Sequence, residues 1–165
     1  MRNGNGGEVP ESLEKVLVAA ANAALRPLGF KGSRRTWLRD EGFAVAVVNL
    51  QKSAWGDMFY LNLGIVFDEL GRPASIKEYR CHLRWRAPLR EDPAKTLEAA
   101  LDGDTRGLSN EDRQAVLRRY LLEEADPMLR RWSHLDVLAE DYRSRLLASA
   151  FVDRELRQFL DRPTH

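Results

Sequence analysis

The chain has one cysteine, Cys81, in 165 residues, and three histidines, His82, His134 and His165. A lone cysteine excludes an intrachain disulfide and any zinc site built on several thiolates. No uninterrupted apolar run approaches the roughly 20 residues that a membrane-spanning helix requires, so no membrane partner is expected. An excess of one charge is missing too, because 26 Lys and Arg stand against 25 Asp and Glu, for a formal net charge of +1. That balance argues against nucleic acid as the partner of the chain as a whole. The glycine-bearing stretches GRP at 71–73 and DGDTRG at 102–107 fit neither a phosphate-binding loop nor a nucleophile elbow. No motif implies a cofactor. The opening MRNGNGGEVP has no apolar stretch behind Arg2, so a secretory or transit leader is not expected and a cytoplasmic location is.

What is present is a chain that is 44% apolar and 31% charged, long enough for one domain of ordinary size. Residues 1–9, rich in Gly and Asn, read as a disordered tail, and 10–165 as a single α+β domain. From Pro10 or Ser12 a helix is expected, since Leu13, Val16, Leu17, Ala20, Ala24 and Leu28 fall on one stripe. Pro27 and Gly29 end it. Phe30 to Arg39 then turns into a short first strand containing Trp37 and Leu38, closed by Asp40-Glu41-Gly42.

Strands two, about Ala44 to Lys52, and three, about Met58 to Phe67, constrain each other. Phe59, Leu61, Leu63, Ile65 and Phe67 alternate with Tyr60, Asn62 and Gly64, while in strand two Ala44, Ala46, Val48 and Leu50 are the uniformly apolar set. Both sets share a face only if the connecting loop has four residues, Ser53–Gly56 or Ala54–Asp57, which puts Trp55 at its tip. Asn49 and Gln51 then lie beside Tyr60 and Asn62 on the second face. A fourth strand is expected over Glu78 to Arg86, with Tyr79, Cys81, Leu83 and Trp85 toward the core and Arg80, His82, Arg84 and Arg86 on the polar side. The result is a four-stranded antiparallel sheet packed with an N-terminal helix and several C-terminal helices.

Those helices have clear punctuation. Asp92-Pro93 reads as an N-cap with proline at the first helical position, and Ser109 with Asp112 as a capping box. Pro127 interrupts the second of these helices, Ser133 caps another, and Asp153 to Leu160 forms the last. Trp37, Trp85 and Trp132 read as core anchors.

The segments Leu28-Gly29-Phe30-Lys31, Thr36-Trp37, Val48-Asn49-Leu50-Gln51-Lys52-Ser53, Trp55-Gly56, Phe59-Tyr60-Leu61-Asn62-Leu63-Gly64 and Cys81-His82-Leu83-Arg84 are similar to those of bacterial proteins in domain-of-unknown-function family 4304. The likeness covers roughly residues 12–90 and is looser beyond. It implies no activity, but it implies that Asn49, Gln51, Lys52, Ser53, Asn62, His82 and Arg84 stand at motif positions.

The candidate site is therefore the polar face holding Asn49, Gln51, Lys52, Ser53, Tyr60, Asn62, His82 and Arg84. Trp55 is either tucked under a helix or an exposed contact residue. Cys81 and His82 point to opposite sides of a strand, so no metal site is expected. The residues 72–90 hold Arg72, Lys77, Arg80, Arg84, Arg86 and Arg90 against Glu78 alone. Such a row suits phosphate or carboxylate groups, or else it is a charged edge that prevents association. The expected function is a non-catalytic binding module for a small anionic ligand or a segment of a partner protein. The alternatives are a hydrolase with His82 as general base and Arg84 as charge stabiliser, and a weak nucleic-acid binder.

Overall fold

The computed structural model describes residues 10–90, 92 and 95–163. The tail expected at 1–9, the Pro93 helix start and His165 lie outside the described residues. Helix α1, Leu13–Leu25, starts where the Ser12 hydroxyl accepts the Lys15 N–H, and it buries Val16, Leu17, Ala20, Ala21, Ala24 and Leu25 on one stripe. A short 3-10 turn, Arg26–Leu28, stops it, and Gly29 at φ +89° reverses the chain.

Among the described residues six strands follow, not four: β1 Lys31–Ser33, β2 Thr36–Asp40, β3 Ala44–Lys52, β4 Phe59–Phe67, β5 Leu83–Arg86 and β6 Phe151–Val152. They pair antiparallel in chain order. The extra strands have physical reasons. The single first strand that was expected is a hairpin turned by Arg34 at φ 59°, a position without the glycine or asparagine that marks such turns. The sixth is two residues long and rests on β5, with Arg84 opposite Phe151.

The expected fourth strand is a strand only from Leu83 onward. Glu78–Arg80 is a 3-10 turn instead. Cys81 does not join the core beneath the helices but packs with Val45, Val47 and Val66 on the opposite face. Gly64 makes that possible, since a Cβ there would stand 2.6 Å from the Cys81 sulfur. Pairing of β4 with β5 stops at Ile65 opposite Leu83. The next ladder donor, the Phe67 N–H, goes to Nδ1 of His82 at 2.9 Å rather than to a carbonyl. A side chain thus replaces the backbone where the strand would have continued.

In the central hairpin, Ala44 lies opposite Phe67 and Lys52 opposite Phe59, which makes the loop Ala54–Asp57. The Ser53 N–H donates to the Met58 carbonyl just outside it, at 2.8 Å. This register sends Ala44, Ala46, Val48 and Leu50 together with Phe59, Leu61, Leu63, Ile65 and Phe67 into one core.

That core is covered by α1 and the C-terminal helices: α2 Thr96–Leu101, α3 Asn110–Tyr120, α4 Asp126–Trp132, α5 Leu135–Arg143 and α6 Arg154–Leu160. Helix α2 begins at Thr96, where Asp92 Oδ2 accepts the Thr96 N–H at 2.8 Å. Ser109 and Asp112 form the expected capping box. Pro127 does not break the chain of helices, because a π turn over Leu121–Ala125, closed by the Asp126 N–H on the Leu121 carbonyl, absorbs its missing donor. Ser133 bonds back to the Leu129 carbonyl and leaves α5 uncapped by any side chain. Trp37, Trp85 and Trp132 are all buried, the last two edge to face at 5.1 Å.

Sheet and helices are also joined by charge. Arg39 on β2, buried, donates to Asp126 on α4 at 2.6 Å and lies 4.3 Å over the Phe30 ring. At the corner of α4 and α5, Asp141 accepts from Arg131 at 2.7 and 3.0 Å and from the Trp132 indole at 2.7 Å. These donors, Arg131 foremost, hold the Asp141 carboxyl below its usual range. A depressed folded value adds stability above the ordinary Asp pKa of about 4, and that stability is lost as pH falls through the folded value. Asp141→Asn should therefore lower the urea midpoint at pH 7, with the deficit shrinking as pH drops from 5 to 2. A deficit independent of pH would contradict this.

Candidate functional site

The face of the sheet turned away from the helices is divided in two. Near the Ala44 end, Val45, Val47, Val66 and Cys81 form an apolar patch covered by Leu38 and Ile76. The connection between β4 and β5 closes that half, its Glu78–Arg80 turn resting on β3 and β4. Near the hairpin the same face is polar. Thr36 lies opposite Asn49, Asn49 opposite Asn62 and Asn62 opposite Arg86, one row across four strands. Gln51 faces Tyr60 one step nearer the loop. A cleft of about 640 Å³ opens over this row, walled by Ile76 to Tyr79 of the connection and by Ser149 and Phe151.

Arg86 sets the direction of the row, because a guanidinium can only donate. Its Nε reaches Asn62 Oδ1 and its Nη2 reaches Gln51 Oε1, each at 3.4 Å. Asn62 Nδ2 is turned accordingly toward Gln51 Oε1 at 2.9 Å and Asn49 Oδ1 at 3.4 Å. Asn49 Nδ2 in turn donates to Thr36 Oγ1 at 2.9 Å and to the Arg35 carbonyl at 3.3 Å. All three amide oxygens accept from within the row. Gln51 Oε1 accepts two bonds and the Asn49 and Asn62 oxygens one each. Among the described residues the Gln51 amide nitrogen, the Thr36 hydroxyl proton and the last Arg86 nitrogen have no protein acceptor, so the free capacity of the row leans toward donors.

Cations reinforce that bias. Arg84 stands 4.2 Å over the Phe151 ring and Arg86 3.8 Å over the Tyr60 ring. Among the described residues neither enters an ion pair, whereas Arg35, Arg39, Arg72, Arg130 and Arg131 do. Lys77 lines the cleft as well, with Glu78 as the one acid among the described residues. The stacked rings hold both guanidinium groups in place without using their N–H donors.

Of the residues expected on this face, Asn49, Gln51, Asn62 and Arg84 line the cleft, and Tyr60 supports Arg86 at its edge. Lys52 is exposed at the end of β3 and does not line it. Ser53 shapes the hairpin, its hydroxyl accepting the Trp55 N–H at 3.1 Å. Trp55 is 96% exposed, so it is not tucked under a helix. Its loop is braced from outside, as the Gly103 N–H donates to the Asp57 carbonyl at 2.7 Å. His82 is not on the polar face. It is buried, bound to the Phe67 backbone and stacked on the Phe67 ring at 6.2 Å between centroids.

The cleft also includes residues outside the expected set. Thr36 was reachable by parity from a buried Trp37, and Arg86 by its place in the basic row. Tyr79 and Phe151 carry no local signal, since the first sits in a 3-10 turn and the second in a two-residue strand.

These positions constrain the chemistry. The His82 lone pair on Nδ1 is occupied by a backbone donor, and the ring does not line the cleft. The Cys81 thiol is pushed up to about 12 by burial, with Glu78 adding to the effect, so it is a poor nucleophile. Among the described residues no group of three or more His, Cys, Asp or Glu side chains is placed to hold a metal ion. A second cavity of about 650 Å³ among the helices mixes Arg119 and Arg131 with Glu123, Glu124 and Asp141, so its charges oppose one another.

Residues 21–119 match the profile of a family described as Domain of unknown function (DUF4304). That span holds Thr36, Asn49, Asn62, Arg84 and Arg86, while Ser149 and Phe151 fall outside it. No curated protein and no solved structure matches the chain. His82→Ala, which leaves the Phe67 N–H without its acceptor, should cost about 1–3 kcal/mol of stability in urea titration. A variant as stable as the native chain would show that the imidazole does not serve the fold.

Proposed function

The chain belongs to this domain-of-unknown-function family, and on that premise we propose that it is a non-catalytic binding module whose outer sheet face takes a small anionic ligand. The observation that carries the proposal is the polarity of the amide row. With every amide oxygen already accepting, the floor of the cleft offers N–H and O–H donors, and an acceptor-rich anion is their complement. Arg84, Arg86 and Lys77 add charge, and an arginine fork grips carboxylate or phosphate through two parallel bonds. A general-base role for His82 has no support from its position, which favours binding over hydrolysis.

Charge-assisted hydrogen bonds contribute about 1.5–3 kcal/mol each, so loss of one guanidinium corresponds to roughly tenfold or more in affinity. Inorganic phosphate or citrate should raise the melting temperature of the native chain, and Arg84→Ala and Arg86→Ala should each weaken binding at least tenfold by calorimetry. Arg86→Ala should also reduce the effect of Gln51→Ala, because the row loses the donor that orients it. Absence of any shift with both anions, or variants that bind like the native chain, would refute the proposal.

A further inference from the structure

An anion held by Arg84 and Arg86 fills only part of the cleft. A phosphate or carboxylate group is a few atoms, whereas about 640 Å³ lies within the range that holds ligands of drug size, roughly 300–1,000 Å³. The remaining lining is aromatic. Tyr79 and Phe151 both border the cleft while 62% and 50% exposed, more than any other aromatic side chain except Trp55 among the described residues. Arg84 over Phe151 and Arg86 over Tyr60 add two flat cation-ring stacks beside the amide row. Planar surfaces and a guanidinium pair thus stand next to uncommitted donors on Gln51 and Thr36.

Taking the anion-binding function as its basis, we infer that the ligand is a nucleoside monophosphate, its base stacked on the aromatic rim of Tyr79 and Phe151 and its phosphate held by Arg84 and Arg86. A base presents a π face to any aromatic side chain, and its ring nitrogens and carbonyl oxygens accept from the Gln51 amide and the Thr36 hydroxyl. The near-neutral net charge of +1 favours one nucleotide over a polymer, since affinity for a polyanion is built from many phosphate contacts.

Calorimetry on the full chain at fixed salt separates the possibilities, with adenosine 5′-monophosphate, ribose 5-phosphate and inorganic phosphate as probes. The nucleotide should bind at least tenfold more tightly than ribose 5-phosphate. Tyr79→Ala, at an exposed position, should reduce that preference while leaving the affinity for inorganic phosphate unchanged, whereas Phe151→Ala, which also removes the ring beneath Arg84, should weaken both the preference and the binding of inorganic phosphate. Circular dichroism checks that both variants fold, and Tyr79→Ala serves alone if the β6 position does not tolerate change. Equal affinity for the three probes overturns the nucleotide inference and leaves the anion site standing. An intact preference in Tyr79→Ala also overturns it, as does an oligoadenylate that binds more than tenfold more tightly than the mononucleotide. Failure of all three probes to bind removes the anion site as well.

Discussion

Strands β3 and β4 pair over nine positions, from Ala44 opposite Phe67 to Lys52 opposite Phe59, and the offset between them governs both faces of the sheet. A slip of β3 by one residue would send Asn49 and Gln51 under the helices and turn Val48 and Leu50 to the outside, while Leu61 and Leu63 of β4 still faced the core. Burying those amides unpartnered is costly enough to forbid it. The same offset places Asn49 against Asn62 and, through β5, Asn62 against Arg86, so the core and the polar row are two consequences of one register. Direction in that row then comes from a single donor-only group, the Arg86 guanidinium.

The helical layer makes the outer face available by occupying the inner one. Arg39 and Asp126, 87 positions apart in the chain, bind β2 to α4, and the π turn at Leu121–Ala125 lets Pro127 sit within the helical run that presents Asp126. A buried pair of this kind is weak evidence of net stability, and each partner has a second one, Glu41 for Arg39 and Arg130 for Asp126, but the Arg39–Asp126 bond is what crosses from sheet to helix and fixes which way the layers meet. On the far side, His82 ends the β4–β5 ladder and redirects Cys81 onto the outer patch beside Gly64. The resulting turn brings Lys77 and Tyr79 to the cleft wall. A residue that read as a base in the sequence therefore positions the site from outside it.

The parts legible in the sequence were those with a strict period or a local cap. Alternation in 44–67 disclosed the hairpin, its four-residue loop and the shared face of Asn49, Gln51, Tyr60 and Asn62, because side-chain direction in a strand has period two. Ser12, Ser109 and Asp153 disclosed helix starts, because a cap is satisfied within three or four residues. The sheet was underestimated where pairing depends on distant partners. Arg34 turns a hairpin without a turn residue, and Phe151–Val152 is a strand only because β5 lies beside it. Alternation misled in 78–86, where one imidazole in place of a carbonyl reverses Cys81. The side chains that give the cleft its size, Tyr79 and Phe151, are joined by tertiary folding and by no motif.

The central claim is that the donor-rich outer face, and no other surface, receives anions. Titrating isotope-labelled protein with inorganic phosphate while following side-chain and backbone N–H resonances tests it most directly. Movement is expected at the Gln51 amide and at the Arg84 and Arg86 Nε–H signals, with Val45, Val47 and the helical residues near Tyr120 unmoved. Shifts clustered around Tyr120 and Glu124, or no shift at Gln51, Arg84 and Arg86, would contradict it.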